Sequence, residues 1–220
     1  MNIAIDGPAG AGKSTIAKIV SAKLGYIYVD TGAMFRAVAY NCAQLNIDPE
    51  DKERIAKVSS ESDISIRYVG DSQRVFLNGT DVTDHLRDEA VGNMASVVAP
   101  IPEVRSILLE LQRKLAREND VVMDGRDIGT CVLPDAELKI YLTASSAVRA
   151  KRRYDELVAK GETPDIDVIE KDIIERDERD MNREIAPLKQ ADDAVLVDSS
   201  YMTIDEVADR IISLAHEAGA

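Results

Sequence analysis

A chain of 220 residues with 45% hydrophobic and 30% charged residues has the size and balance of one compact domain with elaborations. Its net charge of -13 argues against a surface that grips polymeric nucleic acid through its phosphates. No apolar run is long enough to span a bilayer, and the N-terminus lacks the basic and hydrophobic segments of a secretion signal, so no membrane partner and a cytoplasmic location are expected. Cys42 and Cys131 stand in no paired motif, which leaves buried structural thiols as the expectation rather than a disulfide framework or a zinc site.

Strand-like runs at 2–5, 26–29, 120–123, 138–142 and 194–197 alternate with segments whose apolar residues fall three and four apart, such as Ile16, Ile19, Val20, Ala22 and Leu24. That alternation predicts a parallel sheet covered on both faces. Residues 63–83 break the pattern, since side chains alternate in type around Gly70-Asp71 and Asn78-Gly79, which predicts a small antiparallel meander inserted into the α/β chain. Helices are predicted at 85–98 and 103–118, punctuated by Pro100 and Pro102, and again at 145–160 and 167–184 around the polar turn GETPDID.

The first strand runs into Gly7-Pro8-Ala9-Gly10-Ala11-Gly12-Lys13-Ser14-Thr15, which fits G-x-x-x-x-G-K-[ST] between a strand and a helix. Such a loop turns backbone N–H groups and a helix N-terminus toward phosphates, with Lys13 reaching the β and γ groups and the Ser14 hydroxyl on Mg²⁺. A glycine turn that merely joins strand to helix is the alternative. The guanine-reading N-K-x-D is absent, and no Asp is followed three positions later by Gly, so a GTP switch is disfavoured against a phosphotransferase.

Arginine placement agrees with phosphotransfer. Asp124, Arg126 and Asp127 stand at the carboxyl end of a predicted strand, where open α/β sheets bind ligands. On a helix, Arg176, Asp180 and Arg183 would project from one face, and Arg149, Arg152 and Arg153 form a further basic face. Taken alone, the first cluster reads rather as a capped turn held by an Asp–Arg pair, and the helical ones rather as solvated, ion-paired faces. Together, beside a phosphate loop, they match the need to offset charge on two phosphates at once. His85 and His216 have no nucleophile or metal partner in their motifs and are expected at the surface or at helix ends.

GPAGAGKST, DTGAMFR, DGRDIGTCVLPDA and ERDERDMNREIAPL, in this order, resemble the motifs of the bacterial cytidylate kinases, a family of nucleoside monophosphate kinases, and the likeness covers nearly the whole chain. The resemblance implies a P-loop three-layer α/β/α fold with a five-stranded parallel core sheet, an inserted small antiparallel β subdomain and a helical lid. It divides one kinase domain into a core of residues 1–34, 102–144 and 185–220, an acceptor-binding region at 35–101, and a lid with flanking helices at 145–184. The implied reaction is Mg²⁺-dependent transfer of the γ-phosphoryl group of ATP to CMP or dCMP by a monomer; a kinase for UMP or another small metabolite is the alternative.

By the same resemblance Lys13, Asp124, Arg126 and Arg183 are the catalytic set, and Gly7 to Thr15 with Arg153 bind ATP. Arg36, Arg126 and Arg183 match positions that hold the acceptor phosphate, Ser96, Arg105 and Asp127 those that read cytosine, and Arg176 and Asp180 those near the sugar hydroxyls. Thr31, also on the acceptor side, replaces a frequent Ser and keeps the hydroxyl. Phe35 stands where relatives have Tyr, so stacking remains without a phenolic hydrogen bond. A carboxylate at Asp127 accepts from the exocyclic amine of cytosine and repels the carbonyl that uracil presents there.

Overall fold

The computed structural model describes residues 1–70 and 72–220. Its strands are β1 (Asn2–Asp6), β2 (Ile27–Asp30), β3 (Ile64–Val69), β4 (Ser72–Leu77), β5 (Thr80–Asp81), β6 (Val121–Gly125), β7 (Leu138–Thr143) and β8 (Val195–Asp198). Its helices are α1 (Lys13–Leu24), α2 (Thr31–Gln44), α3 (Lys52–Glu61), α4 (Glu89–Val98), α5 (Pro102–Glu118), α6 (Ser146–Ala159), α7 (Ile166–Asn182) and α8 (Ile204–Glu217). Five strands form a parallel sheet in the order β2-β6-β1-β7-β8, and β3, β4 and β5 form a separate antiparallel sheet. The chain divides into two compact units, Met1–Tyr26 with Val122–Ala220, and Ile27–Val121.

In the first unit the central strands are apolar because both of their faces are covered. Ile3 and Ile5 of β1, Met123 of β6, Ile140 and Leu142 of β7 and Ile211 of α8 are all but inaccessible to solvent. Parallel register sets Ile3 beside Leu138 and Asp6 beside Tyr141, so β1 ends at Asp6 while β7 runs two residues further, to Thr143. Helix α8 starts with a capping box in which Thr203 and Glu206 satisfy each other's backbone N–H groups, while Ser145 and Asp165 cap α6 and α7.

In the second unit Asp30 caps α2 and Asp51 caps α3, each accepting from the backbone three residues on, and Pro102 occupies the first turn of α5. Met34, Ile55, Leu86 and Leu108 form its buried centre. The expected meander is present. Asn78 and Gly79 both have positive φ, 50° and 81°, which is the turn that lets β4 and β5 pair through two residues. Asp71, in the other expected turn, lies outside the described residues.

Three expectations need adjusting. The helix predicted from residue 85 starts at Glu89, because Thr83–His85 forms a 3₁₀ turn and Asp88 is extended. The helix predicted to end at residue 184 stops at Asn182, with Arg183 extended and Ala186 at a φ of 47°, so the chain folds back on itself there. Of the two free cysteines Cys42 is buried, but Cys131 is only partly so. Among the described residues no helix is long and apolar enough to cross a membrane.

Candidate active site

The loop after β1 is shaped by where a side chain would not fit. A Cβ at Gly7, whose φ is 148°, would lie 1.9 Å from the backbone oxygen of Leu142 on β7, so the chain passes over the sheet too closely for any other residue. Gly12 has a φ of 89° and caps α1 with no side-chain hydrogen bond, and a Cβ there would meet nothing within 4 Å. The first N–H groups of a helix have no partner within the helix, which is what an anion at the start of α1 would meet.

Lys13 is buried at 6% exposure and donates to the Pro8 carbonyl at 2.7 Å, across the loop it belongs to. Burial, then the Arg126 charge, pull its amine down from 10.5 to about 7, against the opposing pull of Asp124, Asp6 and Asp180. Beside it, the Ser14 hydroxyl donates to Asp124 Oδ2 at 2.9 Å, a bond that joins the loop to the end of β6. Asp6 accepts from the backbone N–H groups of Ile128 and Gly129 at 2.8 and 2.7 Å and so anchors a π-helical turn, Ile128–Val132, directly after the Asp124 to Asp127 cluster. Burial raises the Asp6 carboxyl to about 6 in spite of those two donors.

Charged residues from two segments far apart in sequence meet in this unit. Arg126 Nε donates to Asp180 Oδ2 at 2.9 Å, and Arg183 lies 3.9 Å from Asp180 and 3.8 Å from Asp127. Arg183 belongs to no helix face. It is aimed by the fold-back after α7, where its Nε donates to the Ala186 carbonyl at 2.6 Å and the Leu188 N–H donates to the Asp180 carbonyl at 2.8 Å. Arg176 lies half-buried one turn before Asp180 on α7.

The basic face of α6 resolves into three different environments. Arg149 is buried and donates to the carbonyls of Ala144 and Ala9 at 2.9 and 3.0 Å, while its other terminal nitrogen meets Asp177 at 2.6 Å. It therefore ties the crest of the phosphate loop to both α6 and α7. Arg152 donates to the Ser199 carbonyl at 2.9 Å. Arg153, the member of this face expected to bind ATP, is half-exposed and pairs with Glu156 at 3.3 Å.

The second unit holds the remaining expected residues. Asp30 accepts from the N–H of Ala33 and pairs with Arg36 at 3.0 Å, while Arg36 Nε is buried with no hydrogen-bond partner among the described residues. Thr31 is buried at the start of α2. The Ser96 hydroxyl reaches the Gly92 carbonyl at 3.5 Å within α4. Arg105 donates to the Ala99 carbonyl at 3.2 Å, and its guanidinium carbon lies 5.7 Å from the centre of the Phe35 ring, within cation–π range. His85 is exposed and stacks on Tyr40 at 5.4 Å.

Sequence reasoning passed over Asp6 and Asp177, and it grouped Arg149 with Arg152 and Arg153 without its buried contacts. Asp6 directly precedes the loop motif but acts on backbone groups 122 and 123 positions away. Spacing alone does not single out Arg149, because Arg153, four residues on, shares its side of α6.

A family model described as Cytidylate kinase matches residues 3–217. Curated cytidylate kinases are similar along the full length. The Bacillus subtilis protein is 47% identical over 217 residues, covering 99% of this chain and 97% of that one. For Listeria monocytogenes the identity is 52% over 213 residues, with 97% and 95% covered. Among solved structures, a Eubacterium ventriosum protein superposes with a TM-score of 0.54 at 13% identity, covering 98% of both chains. A Thermus thermophilus protein does so at 0.50 and 19% identity, covering 100% of this chain and 98% of that one. These two likenesses concern the fold alone.

Proposed function

The chain belongs to the cytidylate kinase family, and from that premise we propose that it transfers the γ-phosphoryl group of ATP to CMP and to dCMP, with Mg²⁺ beside the phosphate loop. The observation that carries this reading is that Lys13, under the loop, feels the charges of Arg126, Asp124 and Asp180, residues that the chain brings to it from more than a hundred positions away. A cradle for one polyphosphate and an arginine web able to hold a second phosphate are thereby neighbours within one unit.

Gly7 to Thr15 wrap the triphosphate, and Arg153 approaches it from α6. The buried Lys13 amine exchanges the Pro8 carbonyl for the β and γ oxygens, whose negative charge returns it to the fully protonated state. The Ser14 hydroxyl and the Asp124 carboxylate are hard oxygen donors side by side, which fits an ion that takes its other ligands from phosphate and water. Held by Ser14 and Asp124, a Mg²⁺ ion would supply positive charge against that developing on the transferred group.

For the acceptor, we assign Arg36, Arg126 and Arg183 to the monophosphate, and Thr31 to acceptor binding. Asp127, Ser96 and Arg105 read cytosine, and Arg176 and Asp180 contact the sugar. The acceptor oxygen is already anionic near neutral pH, because the second ionisation of a phosphate monoester lies at about 6, so no side chain need remove a proton. Positioning and exclusion of water supply the rate. We assign the exclusion of water to residues 145–184 as a lid, acceptor capture to 35–101, and the core to 1–34, 102–144 and 185–220. The chain acts as a cytoplasmic monomer on free nucleotides, in keeping with its net charge of -13.

Coupled measurement of ADP release against CMP, dCMP, UMP and AMP, with and without a chelator, tests the reading. Turnover with CMP and dCMP that stops on chelation is expected. Faster turnover of UMP, or turnover only with an acceptor that is not a nucleotide, would overturn it.

A further inference from the structure

Strand β2 is the edge of the parallel sheet, so every second residue turns its backbone N–H and carbonyl away from the sheet. Ile27 is bonded inward, its N–H donating to the Asp120 carbonyl at 2.9 Å, so Tyr28 and Asp30 are the residues that face outward. These outward groups are met by side chains of the inserted antiparallel sheet. The Tyr68 hydroxyl donates to the Tyr28 carbonyl at 3.0 Å. The Gln73 amide closes on Asp30 from both ends, its Oε1 accepting from the Asp30 N–H at 2.9 Å and its Nε2 donating to the Asp30 carbonyl at 3.3 Å.

Tyr68 and Gln73 are directly opposed across β3 and β4, so both side chains leave the same face of the hairpin. Burial holds the Tyr68 phenol above its ordinary range, which keeps it a donor. The residue they grip is the one that starts α2: the Asp30 carboxylate accepts from the Ala33 N–H at 2.8 Å and holds the Arg36 guanidinium at 3.0 and 3.3 Å. Arg36 Nε remains a buried donor with no partner among the described residues, so its direction matters to whatever anion it meets.

We propose that Gln73, assisted by Tyr68, is a positioning residue for the acceptor phosphate: by completing the backbone hydrogen bonds of Asp30 it fixes the carboxylate that aims Arg36. The inserted sheet then serves acceptor binding without touching the nucleotide, and it does so by supplying side-chain amide and hydroxyl groups where a further strand would otherwise pair. The inference rests on the proposed role of Arg36 at the acceptor phosphate.

The test is a double-mutant cycle on the full chain with Gln73→Met, Arg36→Met and the pair, reading KM for CMP, KM for ATP and kcat. Gln73→Met keeps the side-chain length and removes both hydrogen bonds. It is expected to raise KM for CMP about tenfold, leave KM for ATP within about twofold, and add little when Arg36 is already gone. Tyr68→Phe, which loses only a hydroxyl, is expected to shift KM for CMP in the same direction by a smaller factor and serves as the readout if Gln73→Met fails to fold. An unchanged KM for CMP in Gln73→Met and Tyr68→Phe, an equal rise in both KM values, or a factor that persists in full on top of Arg36→Met would overturn the inference. An unchanged KM for CMP in Arg36→Met alone would instead overturn the acceptor reading beneath it.

Discussion

Arg149 and Asp177 meet at 2.6 Å with side chains 6% and 8% exposed, and the same guanidinium also holds the Ala9 carbonyl of the phosphate loop at 3.0 Å. One buried cation thus joins α6, α7 and the loop. Removing its partner strands a charge in the interior, so Asp177→Ala is expected to lower stability by about 3–5 kcal/mol in urea unfolding. Arg149→Lys keeps the charge but loses the fork that serves three acceptors together. It is expected to raise KM for ATP by about tenfold with a smaller effect on KM for CMP.

Two glycines of the same loop separate steric fit from backbone strain. Alanine at position 7 would set its Cβ 1.9 Å from the backbone oxygen of Leu142, which belongs to a buried strand with nowhere to move. Gly7→Ala is expected to cost more than about 4 kcal/mol or to prevent folding. At Gly12 the Cβ meets open space and only the φ of 89° opposes it, so Gly12→Ala is expected to cost about 1–2 kcal/mol. Thermal unfolding of the two variants side by side checks the contrast.

The parts of this fold that were readable from sequence are those in which a local rule and the tertiary arrangement agree. Buried parallel strands read as short apolar runs, the glycine loop fits only between a strand and a helix, and Asn78-Gly79 announces its own turn. What was not readable depends on pairing over distance. Helical period grouped Arg149, Arg152 and Arg153 without saying that the first is buried on the loop while the third pairs with Glu156 near solvent. It also extended α7 over Arg183, because nothing in the spacing reveals that Ala186 adopts a φ of 47° and folds the chain back. The anchoring of the π-helical turn by Asp6, and the grip of Gln73 on Asp30, are contacts between elements that no periodicity encodes.

Asp127 is 5% exposed and stands 3.8 Å from Arg183, so its carboxylate is held in place by a cation rather than by solvent. A fixed, desolvated acceptor discriminates strongly between a partner that offers a hydrogen and one that offers an oxygen. Asp127→Ala is expected to reduce the ratio of kcat/KM for CMP over UMP by about tenfold or more. The ratio is the proper readout, because loss of the neighbour of Arg183 also weakens use of both acceptors. An unchanged ratio would remove Asp127 from base reading while leaving its part in the arginine web.

Lys13 sets function against stability in a way that pH exposes. Its amine, buried and beside Arg126, falls to about 7 in the folded chain against an ordinary 10.5. Between these values the unfolded chain holds a proton that the folded chain has released, so this group makes stability rise as the pH rises from about 7 toward 10.5. Asp6 contributes the opposite slope in a lower window: from 3.8 to about 6 the folded chain keeps a proton that the unfolded chain has lost, and stability falls as the pH rises. Lys13→Met removes the buried cation and is expected to abolish phosphoryl transfer while raising Tm by roughly 5 °C near pH 7. The gain should shrink as the pH is raised toward 10, because the native amine is then neutral in the folded state at little further cost. Melting curves of both proteins across that range measure it, and a gain independent of pH would show that packing, not charge, separates them.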